Sequence, residues 1–359
     1  MLPDRSEHPF LEVSGPPPRR DRETKGIAPA DAHETARGAA DIVPAALHVC
    51  FPWEDVHAIA GPLLPGSLTI VSARTGSGKT LFIRNWLHAL ATDHTRPPRP
   101  IAYFPTETPA REVLRGIACA ELGVNPVDIS RDDFSRVVGG SAAFFATAQA
   151  VANRLQTPLS DLTGPPLAIY DHPRPTVALI RRTLEEAAAR GCAVAVIDHI
   201  LRLHLGDGTQ PFAEVTNAVR ALKILAEELQ LAVVITSQQN RASAGGDKLA
   251  WFAPPDLSAL KGAGTLEEEA DLVLFLHRLL RDDLTDKDRA AVRSGALPLQ
   301  EVIAPHLMGC AIGKSRLDGG KTGAACRLWV DHGRVTDLPA AERSAWQARI
   351  HAIRTNRDL

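Results

Sequence analysis

The stretch Ser67-Leu-Thr-Ile-Val-Ser-Ala73-Arg-Thr-Gly-Ser-Gly-Lys79-Thr80 decides the fold of this chain. Its first half is a β-type apolar run, and its second half is a glycine-rich turn that ends in Lys-Thr. Apolar residues then recur at helical spacing between positions 81 and 90. A strand, a glycine-rich turn and a helix in this order are the context in which a phosphate-binding loop forms. The stretch therefore predicts a nucleotide site in an α/β protein.

The predicted nucleotide-binding loop has eight consecutive residues: Ala73, Arg74, Thr75, Gly76, Ser77, Gly78, Lys79 and Thr80. Glycines let the backbone bend so that its N–H groups point at phosphate oxygens, and the following helix adds the positive end of its dipole. We expect Lys79 to reach the β- and γ-phosphates of ATP and the Thr80 hydroxyl to ligate Mg²⁺. Ala73 replaces the first glycine of the usual signature. The alternative is a glycine-rich turn followed by Lys-Thr by chance.

Composition narrows the range of partners. The chain has 359 residues, is 45% hydrophobic and carries a formal net charge of -2, so no overall basic field indicates nucleic-acid binding. Any such binding would have to be local, for example through loops that line a channel. The five cysteines form no Cys-x-x-Cys pair, which favours free thiols in a reducing compartment. With no signal-like N-terminus and no apolar run near ~20 residues, we expect a soluble cytoplasmic protein without a membrane partner.

Changes in amino-acid composition along the chain suggest three parts. Residues 1–48 are rich in Pro and charge and poor in large apolar residues, so we expect a disordered tail, with a short helix at 31–40 as an option. Residues 49–340 are predicted to form the ATPase domain, and 341–359 a helical C-terminal tail. Within the domain, strand and helix patterns alternate, which predicts a mostly parallel twisted sheet flanked by helices. The late strands at 270–278, 310–316 and 325–331 predict an antiparallel extension at one edge.

Two acidic residues follow strand-like runs. Asp198 closes the apolar run 193–198, and ligand sites in such sheets lie at the carboxyl ends of strands. It is therefore expected to face the Mg²⁺ held by Thr80, with a turn cap as the alternative. Glu107 follows the strand after the P-loop helix, where a carboxylate can take a proton from water that attacks the γ-phosphate. An exposed loop glutamate is the alternative, and position alone does not decide.

Three further polar residues are candidates. Gln238 closes the run 233–238, where a neutral amide can sense the γ-phosphate or simply tie down the next loop. Lys314 and Arg316 lie on a late strand. From the residues alone, an ordinary solvated strand edge is the favoured interpretation of this pair.

Several stretches in order resemble the ATPase domain of bacterial replicative helicases of the DnaB type, a branch of the RecA-like ring ATPases. The resemblance spans about 51–338 and rests on seven stretches: 65–80, Tyr103-Phe-Pro-Thr-Glu-Thr108, Val194-Ala-Val-Ile-Asp-His199, 221–229, Ser237-Gln-Gln-Asn-Arg241, 256–271 and Gly313-Lys-Ser-Arg316. Alanine at the first P-loop position also occurs in this family. The resemblance implies a RecA-like P-loop NTPase fold.

The resemblance also implies roles for the candidate residues. Asp198 becomes the Walker B acid, Glu107 the catalytic base and Gln238 the γ-phosphate sensor. It assigns Lys314 and Arg316 to the ATP of a neighbouring subunit, where an arginine finger is worth about 10³–10⁵ in rate. Each active site then needs two subunits, which implies a closed homo-oligomeric ring, a hexamer in this family.

The DNA-contacting loops of the family correspond to 202–211 and 241–255. They carry few cations, of which Arg202, Arg241 and Lys248 are the predicted DNA-binding residues. Plain solvated loops remain the alternative. Two departures from the family are expected: a tail in place of its N-terminal helical domain, and a longer connection at 279–304 with an added helix near 286–293.

The resemblance implies an ATP-dependent DNA helicase or translocase that moves along single-stranded DNA, with ATP and Mg²⁺ as cofactors. The alternative is a RecA-like regulatory or scaffold ATPase that unwinds nothing. A strand-exchange recombinase is a third hypothesis, disfavoured because the run 221–271 follows the helicase pattern.

Overall fold

The computed structural model describes residues 49–92, 100–156, 166–204, 211–239, 249, 252–260, 263–317 and 320–355. All of them belong to one compact unit, Pro44–Leu359. The predicted tail at 1–48 and its optional helix lie outside the described residues. In the part of the chain that the structure describes, no helix is both long and apolar enough to cross a membrane.

The described residues contain a nine-stranded mixed sheet in the order β3-β2-β4-β5-β1-β6-β7-β8-β9. Its strands are β1 (Leu68–Ala73), β2 (Ile101–Pro105), β3 (Leu167–Ile169), β4 (Val194–Asp198), β5 (Ala232–Gln238), β6 (Leu272–Leu280), β7 (Ile303–Ser315), β8 (Ala325–Asp331) and β9 (Arg334–Asp337). The pairings from β3 through β6 are parallel, and those from β6 through β9 are antiparallel. The predicted fold class is therefore confirmed.

Helices lie on both faces of the sheet. Those in the described residues are α1 (Glu54–Ala60), α2 (Lys79–Thr92), α3 (Ala110–Leu122), α4 (Pro126–Ser130), α5 (Gly140–Gln156), α6 (Val177–Ala188), α7 (Pro211–Leu229), α8 (Ala263–Glu269), α9 (Asp286–Ser294) and α10 (Ala340–Thr355). Side chains of α2 and α3 pack on one face, and side chains of α6 and α7 pack on the other.

The central strands are apolar because helices cover them on both sides. Every residue of β1, β2 and β4 is buried. Along β1, Leu68 and Ile70 point into the core formed with α7, whereas Val71 and Ala73 point into the core formed with α2. This alternation between two apolar cores explains the continuous hydrophobic runs in the sequence.

The antiparallel extension is longer than its sequence pattern predicts. β7 begins at Ile303 rather than 310, because β6 continues to Leu280 and the two strands pair along this length. Pro305 and His306 interrupt the apolar pattern and conceal the first part of β7 in the sequence. The short strand β9 was not predicted. The added helix near 286–293 is confirmed as α9, which begins with a capping box of Thr285 and Asp288.

α10 covers most of the segment predicted as a helical tail, and it packs on the rest of the chain. The Trp346 ring lies 3.4 Å from the guanidinium carbon of Arg327. Arg343 pairs with Asp55 at 3.1 Å. The division into a domain ending at 340 and a separate tail stays a prediction.

Candidate functional site

The predicted phosphate-binding loop connects β1 to α2. Gly76 and Gly78 have φ of 79° and 89°, a left-handed backbone that favours glycine. The Ser77 N–H donates to the Arg74 carbonyl at 3.0 Å, and the Gly78 carbonyl accepts from the Phe82 N–H at 2.8 Å. The turn thus feeds directly into the first turn of the helix, where free N–H groups and the helix dipole favour an anion.

Other loop residues differ in exposure. Thr75 and Gly76 are exposed, while Arg74 is half-buried and burial lowers the pKa of its guanidinium. A side chain at Gly78 would collide with Met308 of β7. The left-handed φ therefore favours glycine at this position, whereas the flexible end of the Met308 side chain can shift to admit a Cβ.

Lys79, the first residue of α2, lies beside Asp198, the last residue of β4. The Nζ to Oδ1 distance is 3.7 Å, and the two side chains are only 11% and 5% exposed. Burial lowers the pKa of Lys79, and the negative charges of Asp198 and Glu107 oppose that shift. A partly desolvated ammonium is suited to bind the phosphates of a nucleotide, and the carboxylate beside it is suited to bind their metal.

Two side chains from neighbouring strands hold the Asp198 carboxylate. Thr236 of β5 donates its hydroxyl to Oδ1 at 2.5 Å, and Tyr103 of β2 donates its hydroxyl to Oδ2 at 3.3 Å. Burial, followed by the charge of Asp198, raises the pKa of Tyr103 well above its usual range, so the phenol stays a donor. These donors fix the direction of the carboxylate. They were not predicted as site residues, although each is a polar residue in a strand that flanks β4.

The donor set suits Mg²⁺. Thr80 offers a hydroxyl from the first turn of α2, and Asp198 offers carboxylate oxygens, both hard ligands. Within the described ranges, no group of three or more His, Cys, Asp and Glu side chains could hold a metal by itself. Mg²⁺ that binds with a nucleotide takes one or two protein ligands and completes its shell with phosphates and water.

Glu107 lies two residues beyond β2 and close to the same site. Pro105 pairs with Asp198 across β2 and β4. Beyond that pair, the Thr106 hydroxyl donates to the Asp198 carbonyl at 3.0 Å and accepts from the His199 N–H at 2.9 Å. The Glu107 side chain itself is 47% exposed. A fixed backbone therefore presents an exposed carboxylate at the edge of the site.

Two side chains of the segment after β4 flank the Glu107 carboxylate. The Nε2 atom of His199 is 3.5 Å from Glu107 Oε2, and the Nη2 atom of Arg202 is 3.6 Å from Glu107 Oε1. Burial, followed by the positive charge of Lys79, lowers the pKa of His199 to about 4, so its ring is neutral at neutral pH. His199 belongs to a stretch that carries the family resemblance, but its own role was missed.

Gln238 ends β5 and pairs in register with Ala73 at the start of the phosphate-binding loop. The next residue, Gln239, is buried and donates its side-chain amide to the Ser72 carbonyl at 3.2 Å. Gln239 therefore ties the end of β5 to β1, a task close to the alternative considered for Gln238. The side chain of Gln238 is half-buried beside the loop.

Lys314 and Arg316 lie away from this group. β7 runs antiparallel to β6, so Ser315 is level with Leu272 and, through it, with Thr69 near the start of β1. Arg316 donates its backbone N–H to the Asp271 carbonyl at 2.7 Å. Along the strand, this position is roughly 16 Å from Ala73 at about 3.3 Å per residue. The pair lies at the opposite end of the parallel strands from the phosphate-binding loop.

Lys314 and Arg316 differ in their hydrogen bonds and in their exposure. The Lys314 ammonium donates to the carbonyls of Glu267 and, at 3.3 Å, Glu268 at the end of α8. Burial, followed by the charge of Arg316, lowers its pKa. Arg316 is exposed, and its side chain makes no ion pair or hydrogen bond with the described residues. Arg241 and Lys248 lie outside the described residues.

Comparisons with known proteins identify the family of this chain. A family model described as "DnaB-like helicase C terminal domain" matches residues 52–325. The chain is 30% identical to the replicative DNA helicase DnaB of Leifsonia xyli over 262 residues, which cover 71% of this chain and 50% of that protein. It is 29% identical to the replicative DNA helicase DnaC of Bacillus subtilis over 227 residues, which cover 62% and 44%. The chain thus spans about half the length of the curated relatives it matches.

Solved structures share the fold. One is a DnaB-like replicative helicase studied with its primase interactions, at a TM-score of 0.63 and 18% identity, covering 87% of this chain and 68% of that one. Another is an isolated ATPase domain, at a TM-score of 0.58 and 20% identity, covering 77% and 86%. Since the family model matches most of the sequence, the chain belongs to the DnaB-like helicase C-terminal domain family.

Proposed function

We propose that the chain is the ATPase of a ring-shaped helicase or translocase that hydrolyses ATP to move along single-stranded DNA, with a cytoplasmic location. The observation that carries the proposal is the meeting of Lys79, Asp198, Glu107 and Gln238 at one end of the sheet while Arg316 lies exposed at the other. An active site built this way needs the neighbouring copy of the chain.

In this proposal the loop 73–80 binds ATP. The backbone N–H groups of the loop cradle the phosphates, and Lys79 contacts the β- and γ-phosphates. Thr80 and Asp198 hold Mg²⁺, which when bound neutralises charge that develops on the phosphates. Thr236 and Tyr103 keep the Asp198 carboxylate pointing toward that position.

Glu107 is the proposed base. Its exposed carboxylate, at the end of the strand beside β4, can accept a proton from water that attacks the γ-phosphate. Gln238, next to Ala73, is proposed to contact the γ-phosphate and to transmit its loss to the loop that follows β5. That loop includes Arg241 and Lys248, two of the proposed DNA-binding residues.

Arg316 is proposed to reach the ATP of the neighbouring subunit. Because Arg316 is level with the start of β1, it cannot contact the loop of its own chain, and a head-to-tail ring supplies the missing contact. Lys314 is proposed for the same role. In that case its ammonium has to leave the carbonyls of Glu267 and Glu268.

The test is the ATP hydrolysis rate of the purified chain with and without an oligo-dT strand, for wild type and Arg316→Ala. We expect strong stimulation by DNA in wild type and its loss in the variant, with ATP binding retained. A strand-displacement assay then separates a motor from a regulatory or scaffold ATPase. An assembled ring that hydrolyses ATP without any response to DNA would favour that second function.

A further inference from the structure

Arg202 was predicted to be a DNA-contacting residue, yet its side chain faces the proposed catalytic base. It is the last residue of a 3₁₀ turn, Ile200–Arg202, that directly follows β4. Its Nη2 lies 3.6 Å from Glu107 Oε1, and the two side chains are 56% and 47% exposed. A cation of the DNA-facing segment is thus in electrostatic contact with the base.

His199 fixes the other side of the same carboxylate. Its Nδ1 accepts a hydrogen bond from the Leu201 backbone N–H at 3.2 Å, so the proton of the neutral ring is on Nε2. That N–H faces Glu107 Oε2 at 3.5 Å. The His199 side chain is 5% exposed and belongs to the turn, so this contact cannot move far.

The two contacts therefore differ in strength and mobility. The Arg202 contact is solvent-exposed, and exposed ion pairs are weak. A guanidinium binds a phosphate with two parallel hydrogen bonds, which an exposed carboxylate at 3.6 Å does not match. A DNA phosphate that binds at the segment after β4 can therefore replace Glu107 as the partner of the Arg202 guanidinium.

We propose that Arg202 is a positioning residue that restrains Glu107 until a phosphate of single-stranded DNA takes its guanidinium away. Without DNA, contacts at both oxygens hold the carboxylate at the turn. With DNA, only the His199 contact remains, and the Glu107 carboxylate can pivot about that contact toward the attacking water. This inference rests on the proposed function and names the link between DNA binding and hydrolysis.

Such a link acts in both directions, because two ligands of one group affect each other equally. If DNA and Glu107 compete for Arg202, neutralising Glu107 must strengthen DNA binding. This consequence can be measured without any hydrolysis, by the fluorescence anisotropy of a labelled oligo-dT strand with MgADP present.

The experiment compares four full-length proteins: wild type, Glu107→Gln, Arg202→Ala and the double variant. We expect Glu107→Gln to tighten DNA binding about two- to fivefold, the range that an exposed ion pair supports. The tightening should vanish in the Arg202→Ala background. No tightening, or equal tightening without Arg202, would overturn the restraint.

A matched control is available on α6. Arg182 and Glu186 form an exposed ion pair at 3.4 Å on the helix that precedes β4, and this helix leads to the start of β4 rather than to its Asp198 end. Glu186→Gln changes the net charge by the same amount as Glu107→Gln and should leave the DNA affinity unchanged. An equal tightening in this control would assign the effect to overall charge and contradict the proposal.

Hydrolysis gives a second readout. Arg202→Ala should raise the DNA-free rate about two- to fivefold and lower the ratio of stimulated to DNA-free rate. An unchanged or lower DNA-free rate would contradict the restraint and leave Arg202 as a plain DNA contact. A wild-type ring that binds no single-stranded DNA would instead remove the proposed function itself, so the two failures are distinct.

Discussion

At the carboxyl ends of β1, β2, β4 and β5, the functional side chains are held by contacts within one chain, whereas at the start of β1 Arg316 extends from the fold. Lys79 and Asp198 are nearly buried, and two hydroxyl donors fix the carboxylate. Arg316 is exposed and has no side-chain partner among the described residues. The first region is preorganised for binding, and in the proposed ring the second is a half-site that a neighbouring subunit completes.

The largest expected effect tests the half-site. Arg316→Ala should lower ATP hydrolysis by about 10³–10⁵, the range for loss of an arginine finger, while ATP binding is retained. Steady-state hydrolysis and equilibrium binding of a fluorescent ATP analogue measure the two quantities. Lys321→Ala, an exposed cation nearby in the same part of the chain, serves as the control and should leave both unchanged.

Rings assembled from two different variants sharpen this prediction. Lys79→Ala has an intact Arg316, and Arg316→Ala has an intact Lys79, so a mixed ring contains interfaces with both groups. The mixture should recover hydrolysis that neither variant has alone. Absence of recovery in rings shown to be mixed would mean that Arg316 acts within its own chain or not at all.

The next effect tests the base at the preorganised end. Glu107→Gln should lower the DNA-stimulated hydrolysis rate by about 10²–10⁴, because the neutral amide cannot accept the proton. ATP binding should persist, since Lys79 and Asp198 are untouched. A variant that hydrolyses ATP at the wild-type rate would remove Glu107 from this role.

Much of the preorganised end follows from the sequence. A strand, a glycine-rich turn and Lys-Thr define the loop, and apolar runs that end in Asp198 or Gln238 define neighbouring strands. Parallel strands with these patterns align their carboxyl ends, so the meeting of the candidates follows from the fold class.

The supporting contacts do not follow in the same way. Tyr103 and Thr236 belong to strands separated by more than a hundred residues, and their shared target depends on which strands flank β4 and in what register. The positions of the His199 and Arg202 side chains depend on the direction of a turn. No repeating pattern of apolar residues in the sequence encodes that direction. Strand order and side-chain direction are tertiary properties, which is why these residues were missed or given another role.

A stability effect tests the start of β1. Asp271 accepts hydrogen bonds from the Leu68 N–H at 2.7 Å and from Lys223 at 2.8 Å, with both charged side chains largely buried. Asp271→Ala leaves the Leu68 N–H without its acceptor and removes one partner of Lys223, which keeps the Glu227 carboxylate at 3.0 Å and the Gly66 carbonyl at 3.0 Å. It should lower the free energy of unfolding by about 1–3 kcal/mol, the cost of an unsatisfied buried group. Asp271→Asn keeps an acceptor for Leu68 and should cost less. Urea denaturation followed by circular dichroism at one protein concentration measures both; equal costs would contradict the contribution of the Leu68 hydrogen bond.

The smallest effects concern the two donors that hold Asp198. Removing the Thr236 hydroxyl in Thr236→Val should weaken Mg²⁺-dependent nucleotide binding by about 10–100-fold, the range for groups that orient a metal ligand. Tyr103→Phe should cost less, because its hydrogen bond of 3.3 Å is longer than the 2.5 Å bond of Thr236. Nucleotide affinity titrated against Mg²⁺ ranks the two variants, and affinity in EDTA provides the control. If Tyr103→Phe were the more damaging change, the Asp198 carboxylate would be oriented mainly from β2. The preorganised end would then depend on β2, the strand that leads to Glu107, rather than on β5.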